Sequence, residues 1–259
     1  MNFKRGHLLL FGALFISYLL SPLPAAAQQS RFDEGNRLLE ESLYEEAITL
    51  YKAIEEDGYR SGALWLNMGI AYTQLDSLGM AKFYLLKAAD QRETEQLARQ
   101  ALEYVNERFP RRSAVLPALP WDRFFQYLSA QFGITAIVVA TLVLFNLAAA
   151  LLIAAWFRID LRKPFRIASL SLFGLSALLF LFSLIIYSQQ NRYSAAILTD
   201  RQSEVYAEPA ETATQITTAF EGFSLRIDFK RSETADGWYY IRLENGMFGW
   251  IRDEGVRIL

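Results

Sequence analysis

The sequence predicts a multidomain membrane protein built from an all-α helical repeat array, a two-helix transmembrane hairpin and a small all-β barrel. Three observations support this fold class. A 34-residue period runs through the first part of the 259-residue chain, and two long stretches in the middle contain no charged residue. The last part alternates short β-type runs with turn signals. Each architecture therefore occupies its own part of the chain.

The amino-acid composition argues against most kinds of enzyme. The chain has no Cys, one His and a formal net charge of -2, and that His is His7, near the N-terminus. His7 lies in the N-terminal segment that is predicted to be removed, so the remaining chain is expected to contain neither His nor Cys. This argues against Cys nucleophiles, disulfides, Ser-His-Asp triads and the usual Cys/His zinc sites. The charge balance also lacks the basic footprint of a nucleic-acid-binding protein. We therefore expect no catalytic residue, no cofactor, no metal site and no nucleic-acid partner.

The first 27 residues have the pattern of a secretory signal peptide. Lys4 and Arg5 form a basic start, Leu8–Leu20 is apolar, Ser21-Pro22 ends the helix, and residues 25–27 are alanines. This order predicts cleavage after the alanine run and export of the rest of the chain. An uncleaved membrane anchor is the alternative, but the apolar run of 13 residues is short for a span,.

Residues 28–110 form an acidic region that repeats itself. Matching residues recur 34 positions apart, in the pairs Gly35/Gly69, Leu38/Tyr72, Ala47/Ala81 and Tyr51/Leu85. This period, with small residues at fixed offsets, is the tetratricopeptide signature, in which paired antiparallel helices pack closely. The pattern predicts helices at 31–42, 44–57, 62–75 and 78–90. A fifth helix at 94–108 matches the repeat poorly and is predicted to be a polar cap,.

Two asparagines and several apolar side chains of the array are candidates for protein binding. Repeat arrays present a concave face to partners, and this face is predicted to include Phe32, Asn36, Leu39, Leu66, Asn67 and Ile70. Asn36 and Asn67 resemble the asparagines of a subclass that grips a C-terminal carboxylate. The basic partners of that clamp are missing, since Phe32 stands where a Lys would be, and we reject a full clamp. The alternative is that both asparagines hydrogen-bond to the backbone of neighbouring helices.

Two uncharged stretches predict the transmembrane hairpin. A bilayer core about 30 Å thick requires roughly 20 apolar helical residues, which places the spans at 133–157 and 167–187. Asn146 lies mid-way along the first span, where an unsatisfied amide is costly. We expect it to face the second span and to bond Ser171 or Ser176.

The loop at 158–166 sets the predicted topology. Its charged residues are Arg158, Arg162, Lys163 and Arg166 against Asp160. Short positive loops stay in the cytoplasm, and export of the array places the other end of the first span outside. Both soluble regions are therefore expected to be periplasmic, on an inner-membrane protein with two spans. Residues 111–132 are predicted to be a linker and an interfacial segment.

Residues 192–259 are predicted to form the β barrel. Leu225, Ile227 and Phe229 alternate with charged residues, which is the pattern of a strand with one buried face. Asn245-Gly246 lies between two β-type runs and is a strong hairpin signal,.

The order of turn and strand residues in this region resembles bacterial SH3-like (SH3b) domains. The residues that carry the resemblance are Val205-Tyr206-Ala207-Glu208-Pro209, Gly222, Gly237-Trp238-Tyr239 and Gly249-Trp250-Ile251. Members of that family bind cell-wall peptides or other proteins, and many are purely structural. Tyr206, Tyr239 and Tyr240 are candidates to line a ligand groove, whereas Trp238 and Trp250 are more typical of a core.

The order of all parts resembles the BatE family of the Bacteroides aerotolerance (Bat) operon. The motifs that carry it are Gly35-Asn36, Tyr44-Glu45-Glu46-Ala47, Trp65-Leu66-Asn67-Met68-Gly69, Gly237-Trp238 and Gly249-Trp250. The resemblance implies a non-enzymatic scaffold of an envelope complex linked to oxidative-stress tolerance. It implies, as partners beside the lipid bilayer, other membrane proteins of that complex, with von Willebrand A-domain proteins suspected. The family also occurs together with a MoxR-type ATPase. The alternative is an envelope sensor that binds peptidoglycan through the SH3-like domain.

Overall fold

The computed structural model describes residues 23–111 and 120–259 of the chain. Most of the predicted signal peptide, and residues 112–119 of the predicted linker, lie outside the described residues. The described part contains a helical region, two long apolar helices and a C-terminal antiparallel sheet. This architecture confirms the predicted order of helical, apolar and β parts.

The helical region before the linker consists of α1 (Leu23–Glu40), α2 (Tyr44–Glu56), α3 (Gly62–Gln74), α4 (Leu78–Ala89) and α5 (Glu95–Arg108). The predicted bounds agree within two residues, except that α1 begins at Leu23 and not at residue 31. The alanine run 25–27 has a high helix propensity, which accounts for the earlier start. Ser61 caps α3 by accepting a hydrogen bond from the Leu64 amide at 3.1 Å,.

The 34-residue period is visible in how the helices pack. A Cβ atom added to Gly35 would lie 2.5 Å from Cε1 of Tyr51, and one added to Gly69 would lie 2.6 Å from Cγ of Leu85. Gly35 and Gly69 are equivalent positions of the repeat, as are Tyr51 and Leu85. Both helix pairs therefore use a glycine to bring α1 close to α2 and α3 close to α4.

The turns inside the two helix pairs also match. Ser42 and Asp76, 34 residues apart, both have a positive φ, of 62° and 57°. In each turn the next amide donates to the carbonyl five residues before it, at 2.9 Å and 3.0 Å. This is a left-handed helix end of the Schellman type. The repeat thus extends from the residue types to the backbone conformation.

The two helices that follow are long and apolar. α6 spans Pro120–Phe157 with a non-helical break at Gly133 (φ 60°, ψ 159°), and α7 spans Arg162–Arg192 after a 3₁₀ turn at Ile159–Leu161. The part of α6 from Gly133 onward and the segment Ile159–Ser188 are long and apolar enough to cross a membrane, with mean hydropathies of 2.7 and 2.3. The first of these has the predicted bounds. The second is longer than predicted because the helix continues through the basic residues near its start.

Serine hydroxyls join α6 and α7 into an antiparallel hairpin. Ser176 Oγ donates to the Thr141 carbonyl at 3.1 Å, and Ser169 Oγ donates to the Ala148 carbonyl at 2.8 Å. All four residues are buried. The two contacts are seven residues apart on each helix, which is about two turns. Each such bond contributes roughly 0.6 kcal/mol in a membrane protein.

The predicted role of Asn146 in the hairpin is wrong. Its Nδ2 atom donates to the Leu142 carbonyl of its own helix at 2.7 Å, and both Asn146 and Ser171 are exposed. Asn146 is five positions after Thr141, so it lies about 140° away around a helix of 3.6 residues per turn. Ser176, the other predicted partner, does lie in the interface but bonds the Thr141 carbonyl instead.

The β domain is a seven-stranded antiparallel sheet in the order β3-β2-β6-β5-β4-β1-β7. Its strands are β1 (Tyr193–Leu198), β2 (Gln202–Tyr206), β3 (Gln215–Phe220), β4 (Ser224–Asp228), β5 (Trp238–Leu243), β6 (Phe248–Arg252) and β7 (Val256–Ile258). The hairpin between β5 and β6 turns at Gly246 (φ 86°), as predicted.

One buried face of the sheet forms the core of the β domain, with Leu225, Ile227 and Ile241 among its residues. The predicted continuation of β4 through Phe229 is wrong. Asp228 ends the strand by accepting a hydrogen bond from the Arg231 amide at 3.3 Å, and it thereby caps the short helix α8 (Phe229–Ser232),.

Candidate functional site

Asn36 and Asn67 are bonded to each other inside the array. Asn36 Oδ1 accepts from Asn67 Nδ2 and from the Tyr51 hydroxyl, both at 2.8 Å. The bonds connect α1 with α2 and α3. Burial raises the pKa of Tyr51 to about 12, so its hydroxyl stays a donor at neutral pH,. The expected backbone partners are therefore replaced by side chains, and the pair fixes the spacing of two repeats.

The four apolar candidates lie on the same two helices as the asparagines. Phe32 and Leu39 on α1, and Ile70 on α3, are half-buried and pack against the array core, which includes the buried Leu66. The ring of Phe32 is 6.0 Å from that of Tyr51. α1 and α3 are neighbours, so the structure brings all six predicted residues to adjacent helices. Most of their surface is used in packing.

An open acidic groove between α1 and α2 was not predicted. It has a volume of about 600 Å³ and is lined by Glu34, Leu38, Glu45, Glu46, Thr49, Leu50 and Ala53. In the sequence, Glu45 and Glu46 begin a predicted helix, and adjacent carboxylates on a helix are typical of a solvated face. The sequence feature that indicates the groove is a pair of leucines, Leu38 on α1 and Leu50 on α2, on the facing sides of these two helices. Glu34 is paired with Arg37 at 2.6 Å, so the carboxylates of Glu45 and Glu46 beside the apolar floor are the ones that fit a basic segment of a partner.

A second polar cluster is internal and ties three helices together. Glu55 on α2 accepts hydrogen bonds from Lys87 Nζ at 2.5 Å, Trp65 Nε1 at 2.9 Å and the Tyr84 hydroxyl at 3.2 Å. Lys87 also lies 4.4 Å above the Trp65 ring,. Burial alone would raise the pKa of Glu55, but the bonds from Lys87 and Trp65 outweigh it and hold the pKa below its ordinary value,.

The aromatic candidates of the β domain do not share one face. Tyr206 and Tyr240 each pair with Trp250 on neighbouring strands, so these three side chains lie on the outer face of the sheet,. Tyr240 also stacks on Phe248, with ring centroids 6.3 Å apart. Tyr239 points to the opposite face and packs against the core. The predicted groove of three tyrosines is therefore corrected to a row of two tyrosines with the half-buried Trp250.

Comparisons with protein families, curated proteins and solved structures found no match. Within residues 23–111 and 120–259, no group of three or more His, Asp or Glu side chains is placed to hold a metal ion. The strongest remaining feature is a contact between distant parts of the chain.

The helical array and the β domain are bonded to each other. Glu221 Oε1, at the turn before β4, accepts from the Gly79 amide at 2.6 Å. Lys82 Nζ donates to the Gly222 carbonyl at 2.6 Å and to Ser224 Oγ at 3.3 Å. The N-cap residue of α4 makes no side-chain hydrogen bond of its own, so Glu221 takes over that role from the other domain. Burial lowers the pKa of Lys82,.

Two glycines allow this contact to be close. A Cβ atom on Gly222 would lie 2.2 Å from the ring of Phe109, which follows α5, and one on Gly79 would lie 2.8 Å from Cα of Thr199. The guanidinium of Arg111 lies 4.3 Å above the Phe220 ring. The linker side of the array and one end of the sheet thus form a packed interface, which no local sequence pattern indicates.

Proposed function

We propose that this protein is a non-enzymatic, membrane-anchored adaptor that binds partner proteins through its helical array and β domain. The observation that carries the proposal is the bonded contact between the two soluble parts. Because Glu221 and Lys82 connect them, a partner held by the array has a fixed position relative to the sheet and to the apolar hairpin. A scaffold needs this property, since it must hold several proteins in one geometry.

The proposed location is the inner membrane, with both soluble parts in the periplasm. The hairpin supports a position of both soluble parts on the same side of the membrane. The helix α6 follows the array, and the antiparallel α7 returns the chain to the same end of the hairpin before β1 begins. The basic residues of the loop between the helices are exposed at the opposite end. The predicted signal peptide and this positive loop both support a periplasmic position for the soluble end.

We further propose that the array belongs to the tetratricopeptide class, the β domain to the SH3-like class, and the chain to a Bat-type aerotolerance complex. The repeated glycine contacts at Gly35 and Gly69 support the first assignment. The hairpin between Trp238 and Trp250 supports the second. The expected partners are membrane proteins with von Willebrand A domains, which would dock a basic segment in the groove beside Glu45 and Glu46.

Crosslinking with mass spectrometry on the full chain in native membranes tests the adaptor role. We expect crosslinks between the array and an A-domain membrane protein. In the double variant Glu45→Gln/Glu46→Gln their yield should fall about fivefold, since two rim charges together contribute on the order of 1 kcal/mol. The matched control, Glu103→Gln/Glu107→Gln, changes two exposed carboxylates on α5 and should leave the yield unchanged. Equal crosslink yields in the unchanged protein, the double variant and the control would exclude the groove as the binding site. Absence of crosslinks to any A-domain membrane protein would exclude a Bat-type complex.

A peptidoglycan-binding sensor is the second candidate function, and the outer aromatic row favours it. Tyr240 and Phe248 stack on a face of the sheet where Phe248 is 50% exposed, and flat aromatic faces suit the apolar faces of sugars. The full chain in detergent should then co-sediment with purified sacculi at micromolar concentration. Phe248→Ala should release it, whereas Ile216→Ala, which removes a side chain exposed on β3, should not. Absence of the intact protein from the pellet would exclude this function.

A further inference from the structure

A cavity lies where α7 enters the β domain. Its volume is about 430 Å³, and it is lined by Arg192, Tyr193, Arg226, Asp228, Arg231, Tyr240, Ile241, Arg242 and Phe248. Four arginines and a single carboxylate therefore surround one space. The adaptor role does not use this cavity, whereas the second candidate function invokes Tyr240 and Phe248, which form part of its lining.

The carboxylate in the cavity is already neutralised. Asp228 is buried and binds the Arg192 guanidinium through two contacts, of 3.1 Å to Nε and 2.7 Å to Nη2. Among the described residues, Arg226, Arg231 and Arg242 form no ion pair within 4.0 Å. The cavity thus has a net positive charge from three guanidinium groups that lack an anionic partner.

Two of these arginines are forced together by the sheet register. Arg226 on β4 is directly opposite Arg242 on β5, on the outer face. Like charges at directly opposite positions destabilise a sheet. The guanidinium of Arg226 lies 4.8 Å from the Tyr193 ring centroid, and that of Arg242 lies 5.4 Å from the ring centroid of Phe248. The rings hold the two cations in place, and an anion between them would remove the repulsion.

The cavity is at the height of lipid headgroups if the hairpin spans a bilayer. The apolar segment of α7 ends at Ser188, and Arg192 is four residues further along the same helix. Four residues of helix rise about 6 Å. The headgroup layer extends about 5 to 7 Å beyond the hydrocarbon on each side.

We propose that this cavity binds the phosphate of an anionic phospholipid headgroup in the leaflet next to the β domain. Arg226 and Arg242 donate to the phosphate oxygens in the paired geometry that guanidinium groups favour. Arg231, which lies 4.5 Å from the Tyr240 ring, adds the third positive charge. The lipid fixes the β domain against the membrane surface, and it does so whether or not the protein is an adaptor.

Native mass spectrometry of the full chain in detergent tests the proposal, with phosphatidylglycerol and phosphatidylcholine as probes. We expect phosphatidylglycerol to bind at least about tenfold more tightly, which corresponds to 1.4 kcal/mol. The double variant Arg226→Gln/Arg242→Gln should lose this preference. Its thermal midpoint without lipid should be no lower than that of the unchanged protein, because the repulsion is removed. The single variant Arg226→Gln should lose part of the preference.

The matched control is Arg201→Gln/Arg257→Gln, which removes two exposed arginines of the same domain outside the cavity. This control variant should keep the full preference for phosphatidylglycerol over phosphatidylcholine. Equal binding of the two lipids to the unchanged protein, or an equal loss in the control, would overturn the proposal. Inorganic phosphate is the third probe. Displacement of phosphatidylglycerol by inorganic phosphate at equal concentration would assign the cavity to a free anion and would overturn its assignment to a lipid.

Discussion

Replacing Gly222 by alanine is expected to separate the β domain from the helical array. Gly222 has φ of +80°, and an added Cβ would lie 2.2 Å from the Phe109 ring. A left-handed residue with a side chain costs about 1–2 kcal/mol, and a rigid ring cannot give way as a flexible chain does. The packed contact between Gly222 and Phe109 must therefore open. The hydrogen bonds that Lys82 donates to the β domain, and the one that Glu221 accepts from the Gly79 amide, are lost with it. Of the three hydrogen bonds that are lost, the two shortest, each of 2.6 Å and each to a charged group, are together worth about 3 kcal/mol.

Hydrogen exchange of the Gly79 amide measures this separation in the full chain. That amide donates to Glu221 across the interface, so its exchange in the Gly222→Ala variant should be about 100-fold faster, in line with 3 kcal/mol. Gly237→Ala is the control. Gly237 has φ of +74°, but the nearest atom to an added Cβ is Arg252 Nη1 at 3.4 Å. This control has the backbone strain without the clash and should leave Gly79 protected. Equal exchange in both variants would attribute the effect to strain alone.

Local patterns explain why the helical and apolar parts could be predicted. A glycine must recur where two helices touch, so Gly35 and Gly69 reveal the period of the array before any contact is known. Span length follows from bilayer thickness alone. The tetratricopeptide and SH3-like assignments, the Bat-type complex and the periplasmic orientation stay predictions, because they depend on resemblance and on charge bias.

Contacts that depend on tertiary placement could not be predicted. Glu221 and Gly79 are 142 residues apart, and nothing in either local sequence indicates the other. The rotation of α6 cannot be predicted for a related reason. A helix that is apolar all round does not show which side faces α7, and Asn146 lies on a different side from the one that the sequence predicts. Arg226 lies between Leu225 and Ile227, and the alternation places its side chain on the outer face of the strand,. Its opposition to Arg242 depends on the register of two strands, which alternation alone does not fix.

Replacing Glu55 by glutamine is expected to destabilise the array by about 2 kcal/mol at pH 7. Glutamine keeps the shape of the side chain but cannot neutralise Lys87, whose side chain is only 22% exposed. Loss of a charged hydrogen-bond partner in such a site costs about 1–3 kcal/mol. In a domain of this size, 1 kcal/mol shifts the thermal midpoint by about 4–8 °C, so calorimetry of the full chain should show a decrease on the order of 10 °C. Glu56→Gln, which changes the exposed neighbour, should show almost none.

The pH dependence distinguishes the charge of Glu55 from its shape. Its hydrogen bonds with Lys87 and Trp65 hold its pKa in the folded chain below the ordinary value of 4.5. The unfolded chain therefore binds this proton more tightly, and the stability from Glu55 is complete above pH 4.5 and is lost as the pH falls through the folded pKa. The midpoints of the unchanged protein and of Glu55→Gln should converge as the pH falls from 4.5 through the lowered folded pKa, because a protonated Glu55 resembles the amide. A difference that stayed constant over this range would mean that Glu55 acts by packing and that its charge contributes nothing to the array.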